Sequence, residues 1–188
     1  NFTVRETWIG GEQVALNGVS KIPHILTSPI NRFIAEPRSV ADFRMPVTGA
    51  PLPAIEALDG QLITNACPVS PFDLLIEEGS WTSNPAKDLL KLAVVNRYAP
   101  ALVALCFIRN FGLKQGAIAS SVAHDSHNII AVGVDDESLC EAVNMVIRES
   151  GGVSCVGEGV SAVLPLPVAG LMSADDGYEV ASSYTQID

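Results

Sequence analysis

Cationic side chains are scarce in this chain. Eleven Lys and Arg stand against twenty-one Asp and Glu in 188 residues, and only three histidines occur. The formal charge of -10 repels phosphate backbones and anionic lipid headgroups, which excludes nucleic acid and membrane surfaces as partners. Long apolar runs are also missing: Gly, Pro, Asn or a charge interrupts every one of them well short of the roughly twenty residues that a bilayer span requires. The N-terminal Asn-Phe-Thr-Val-Arg-Glu-Thr-Trp has neither the basic start nor the apolar core of a secretory signal. It lacks an initiator Met, so the gene is expected to begin upstream of Asn1. The four cysteines, Cys67, Cys106, Cys140 and Cys155, show no metal-ligand spacing and read as buried free thiols of a cytoplasmic chain. With hydrophobic residues at 48% and charged residues at only 17%, disorder is excluded, and the length suits one domain or one domain plus a leader.

What is present falls into three stretches. Residues 1–20 carry two short alternating runs around Gly10-Gly11, the pattern of a β-hairpin. Residues 21–56 lose periodicity and place prolines at 23, 29, 37, 46, 51 and 53, which predicts an extended connector packed along something larger. Residues 57–188 alternate short apolar runs with turn residues. Strands are expected at 61–67, 74–77, 89–96, 116–122 and 128–134, with the nearly continuous Leu89 to Asn96 run in the centre of the sheet. The segment 102–109 fits strand or helix. Asp135 or Asp136 caps a helix that ends at Gly151-Gly152, a hairpin follows around Gly157 to Gly159, and a terminal helix spans 180–187. The fold class is therefore α+β, a largely antiparallel sheet with a few packed helices, preceded by the β-hairpin and the Pro-rich connector.

Candidate chemistry is concentrated in one polar segment between two apolar strands, with Ser121, His124, Asp125, Ser126, His127 and Asn128 in succession around it. His-x-x-His with an intervening carboxylate suits a metal clamp, a proton relay in which Asp125 orients an imidazole, or a loop that meets a substrate held by another domain. It equally suits a structural turn whose Asp, Ser and Asn side chains satisfy local backbone groups. Other features are weaker. Gly112 to Gly116 lacks the order of a phosphate loop, and Ser120 and Ser121 lack a nucleophile elbow. Asn96-Arg97-Tyr98 reads as an anchoring ion pair or interface contact, and Lys87 and Lys91 around Asp88 as a solvated face. Pro165-Leu166-Pro167 reads as the end of an edge strand.

The run from Asn110-Phe111-Gly112 through His124-Asp125-Ser126-His127-Asn128 to Ile130 resembles the signature of the adenine deaminase C-terminal domain family. Asn31-Arg32-Phe33, Val95-Asn96-Arg97-Tyr98 and Leu164 to Ser173 resemble further features of that family, in its order. The resemblance implies a role inside a larger enzyme of the amidohydrolase superfamily, which hydrolyses adenine to hypoxanthine and ammonia in purine salvage. It implies a TIM-barrel partner domain, a homo-oligomer, and a binuclear Mn(II)- or Fe(II)-type centre carried by that barrel, with no metal bound by this chain. Residues 1–20 resemble the last strands of the family's small β domain, and the chain is expected to be a piece cut at both ends. Four histidines are needed for such a centre and three are present, so the isolated chain is expected to be inactive. The Ser121 to Asn128 turn is then expected to serve as a lid or substrate-side loop. The alternative is an autonomous structural or oligomerisation module without activity.

Overall fold

The structure is a computed structural model, and it describes residues 2–23, 25, 28–49 and 52–187. His24 lies outside the described residues. The leading hairpin forms as the glycines require: β1 (Glu6–Ile9) and β2 (Glu12–Leu16) are antiparallel and joined by Gly10 and Gly11 at φ 59 and 85. A second tight turn at Asn17-Gly18, φ 50 and 81, leads into β3 (Val19–Ser20). Both turns have the two successive positive φ values that match hairpin twist.

The Pro-rich stretch contains a 3-10 turn, Val40–Phe43, and a short strand, β4 (Met45–Pro46). It ends in β5 (Ala54–Ala57), which crosses the boundary expected between residues 56 and 57 and enters the main sheet. Then follow β6 (Thr64–Ala66), β7 (Leu75–Glu77), β8 (Ser80–Thr82), β9 (Leu89–Val95), β10 (Ala104–Arg109), β11 (Ala117–Ser120) and β12 (Ile129–Gly133). Helix α1 (Asp136–Arg148), β13 (Gly152–Gly157), β14 (Val160–Pro165) and α2 (Gly177–Ile187) complete the chain. The segment that fitted either strand or helix is the strand β10.

Eight strands form one open sheet in the order β14-β13-β11-β12-β9-β10-β5-β6, with β9 in the interior as its apolar run predicts. Every pair is antiparallel except β5 with β10, so the sheet is mixed. In a small sheet, β4-β8-β7, Trp81 of β8 packs with Leu89 and Phe107 of the main sheet. Alternation divides the main sheet: Ala93, Val95, Ala119 and Ala131 face α1, whereas Leu90, Leu92, Ile108 and Val132 face the other way.

Helix α1 starts where the Asp135 carboxylate accepts the Ser138 N–H at 2.6 Å, and it buries Leu139, Val143 and Val146 against the sheet. It stops at Ser150 and Gly151, both at positive φ, where the Gly151 N–H reaches the Val146 carbonyl at 3.0 Å. The connector runs antiparallel to this helix on the same side of the sheet. Asn31 donates to the Ser150 carbonyl at 2.6 Å, Asn144 exchanges hydrogen bonds with the Arg38 backbone, and Phe43 is fully buried at the far end.

One expectation is overturned here. Lys87 is half-exposed and pairs with Asp73, but Lys91 is only 1% exposed. Its place on β9 puts it on the covered face, where Nζ lies 2.5 Å from Asp136 and donates to the Phe43 carbonyl at 3.0 Å. A lysine in this register cannot reach solvent, because the connector and the first turn of α1 close over it. The cysteines are all free, with Cys140 buried and the other three half-buried.

Candidate functional site

The candidate turn closes the hairpin between β11 and β12. Those strands pair Ser120 with Ile130, and the intervening residues must reverse direction within a short loop. Asp125 and His127 adopt left-handed backbone, φ 73 and 49, a conformation that Asp and His tolerate better than most residues. The His127 N–H donates to the Ala123 carbonyl at 2.7 Å and the Asn128 N–H to Ser126 Oγ at 3.3 Å, so the turn is braced by its own backbone and side chains.

The six predicted residues separate into two groups. His124, Asp125 and Ser126 project outward, and the His124 and Asp125 side chains, 96% and 92% exposed, lie 3.2 Å apart between Nδ1 and Oδ1. Ser121, His127 and Asn128 face inward. Ser121 is fully buried, donating to the Gly170 carbonyl at 2.6 Å and accepting from the Gly152 N–H at 2.8 Å. The Asn128 carboxamide accepts the Arg97 N–H at 3.4 Å, and His127 Nδ1 is buried without a hydrogen-bond partner among the described residues. Ser121 is therefore a staple beneath the turn, and only the tip presents its chemistry to the surroundings.

Arg97 holds a larger part of the site than its sequence neighbours suggest. It lies two residues beyond the end of β9 and is 3% exposed, with its guanidinium over the rings of Phe33 at 5.6 Å and Tyr98 at 4.6 Å. Its Nη2 donates to the Ala169 carbonyl and the Tyr98 hydroxyl, both at 2.8 Å, while Nε and Nη1 find no acceptor among the described residues. The anchoring role is present, but among the described residues no carboxylate completes an ion pair with it. Gly170 makes this possible: a Cβ there would come within 2.1 Å of Nη1. Arg97, Ser121, Asn128 and the 169–170 backbone thus join the ends of several strands into a buried polar knot. The signal available in the sequence was a cation placed directly after the most apolar strand.

A binuclear centre does not fit these residues. Among the described residues no group of three or more His, Cys, Asp or Glu side chains stands close enough to hold an ion, and the whole chain has three histidines. The exposed His124–Asp125 pair supplies one imidazole and one carboxylate, short of the donor set that even a single tetrahedral site uses.

Fold and turn together define an α+β domain with an open mixed sheet and a polar turn at one end. The model of the family "Adenine deaminase C-terminal domain" matches residues 61–188, and the chain belongs to that family. It is 49% identical to an adenine deaminase of Salinibacter ruber over 99% of its own length and 34% of the relative's. Identity is 39% with that of Borreliella burgdorferi and 43% with that of Methanosarcina acetivorans, covering 100% and 98% of the chain and 34% of each relative. The chain spans about a third of the length of these curated relatives.

Proposed function

We propose that this chain is the C-terminal part of a cytoplasmic adenine deaminase that hydrolyses adenine to hypoxanthine and ammonia in purine salvage. In this reading it packs on a metal-dependent barrel domain of the same enzyme and helps to close that domain's active site. The observation that carries it is the match along the whole chain to a third of proteins named adenine deaminase. The binuclear Mn(II)- or Fe(II)-type centre belongs to the barrel, since the side chains present here do not fit it, and the intact enzyme is a homo-oligomer.

The turn supplies what a lid or a purine-facing loop needs. An imidazole can donate and accept hydrogen bonds, and so can the edge of adenine. His124 and Asp125 stand outside the fold, above a buried knot in which Ser121 and Arg97 hydrogen-bond the 169–170 backbone. A role in holding a lid or hydrogen-bonding the purine ranks above proton transfer, because among the described residues no second carboxylate joins the pair in a cluster.

The experiment is an assay for hypoxanthine. The purified 188-residue chain, supplied with Mn(II) or Fe(II), is expected to form none, whereas the intact polypeptide deaminates adenine. Turnover by the isolated chain, or an intact polypeptide that leaves adenine unchanged, would overturn the proposal.

A further inference from the structure

One face of the main sheet is covered by α1 and the connector, but the opposite face holds an open apolar groove of about 250 Å³. Leu92, Ile108, Ile118, Ile130 and Val132 line it together with Phe111, and among the described residues no charged side chain takes part. In a chain with a formal charge of -10 this is an uncharged window. Ile118 and Phe111 remain 39% and 37% exposed, whereas Leu92, Ile108 and Val132 are already shielded by their neighbours.

The limited exposure argues about the occupant. A stable dimer needs roughly 800 Å² from each partner. With most of its aliphatic side chains already below the surface, the groove offers too little to hold two copies of like charge together. A partner in the same polypeptide has no such requirement, because tethering supplies a high effective concentration. About two thirds of the length of the relatives lies outside this chain, enough for another large domain.

We infer that the catalytic domain of the same polypeptide docks on this groove through an aliphatic or aromatic ridge. The inference rests on the reading given under Proposed function and adds the face that is used. It also accounts for the position of the turn. Ile118 pairs with Val132 and Ser120 with Ile130 in the hairpin that ends at His124, so a domain seated on the groove lies beside the exposed imidazole.

Cys106, half-buried among the side chains of this face, is the reporter. Its alkylation by iodoacetamide, followed by peptide mass spectrometry, is compared in the intact enzyme and in its Ile118→Lys and Phe111→Lys variants, with circular dichroism confirming that the variants are folded. Protection of about tenfold or more is expected in the intact wild type relative to both variants. It should survive a roughly hundredfold dilution of the enzyme. Equal reactivity in the wild type and the folded variants would overturn the inference. Protection lost on dilution would instead assign the face to a second copy. Neither outcome touches the proposed activity, which is read separately from hypoxanthine formation by the wild type.

Discussion

Replacing Lys91 with methionine keeps most of the side-chain volume and removes a charge that is 1% exposed. The Asp136 carboxylate, 15% exposed and previously 2.5 Å from the ammonium, is left without its partner, and the Phe43 carbonyl loses a donor. Removing one member of a buried pair costs about 3–5 kcal/mol. Because Asp136 retains some contact with water, the loss falls near the lower end, about 3 kcal/mol, or roughly 6–12 °C in Tm for a chain of this size.

The loss depends on pH, and its sign follows from Asp136. Burial pushes this carboxyl above its ordinary value, the Lys91 hydrogen bond and charge draw it back, and Glu137 and Asp135 raise it again. A raised folded-state pKa means that the folded protein binds more protons between the unfolded and folded values, so stability falls as pH rises through that window. Without Lys91 the folded value moves higher still. The deficit of Lys91→Met is therefore full at neutral pH and shrinks as the carboxyl protonates. Asp42, held down by Ser39 hydrogen bonds, and Asp73, held down by Lys87, lose their contributions on acidification in both proteins alike and cancel. Urea unfolding at about pH 7 and about pH 5 measures the difference. A deficit below about 1 kcal/mol at both values, as for a solvated lysine, or one that does not change with pH, would refute the reasoning.

Gly116 and Gly112 form a matched pair in the loop before β11. A Cβ on Gly116, at φ +68, would lie 1.8 Å from the Val156 carbonyl oxygen, whereas one on Gly112, at φ +86, meets nothing within 4 Å. Gly116→Ala is expected to cost about 3 kcal/mol or more and Gly112→Ala about 1 kcal/mol, both read by urea unfolding. Ser121→Ala leaves the buried Gly152 N–H without its acceptor and should cost about 1–3 kcal/mol, with kcat/KM of the intact enzyme unchanged. A kinetic effect there without loss of stability would move Ser121 from staple to substrate contact.

Features encoded within a dozen or so neighbouring residues were legible in the sequence. Gly10-Gly11 announces the hairpin, Asp135 and Gly151-Gly152 bracket α1, and the apolar run of β9 identifies an interior strand. The segment from Ser121 to Asn128 was recognisable as one unit because its polar residues lie between two apolar strands. What was not legible depends on distant partners. The parallel pairing of β5 with β10 joins residues about fifty apart, and no local pattern marks a strand as short as β8. Lys91 reads as a surface residue because the connector that closes over it lies far upstream. Within the turn, exposed His124 and buried Ser121 look alike in one dimension. Their roles separate only when the 169–170 backbone is brought beneath the loop.

The most direct test of the account is kinetic, in the intact enzyme. His124→Ala removes a side chain that is 96% exposed and should leave Tm essentially unchanged. If the turn reaches the adenine site, as proposed, kcat/KM falls by about tenfold or more in His124→Ala. Wild-type kcat/KM in His124→Ala would contradict the account and leave the turn as a structural loop.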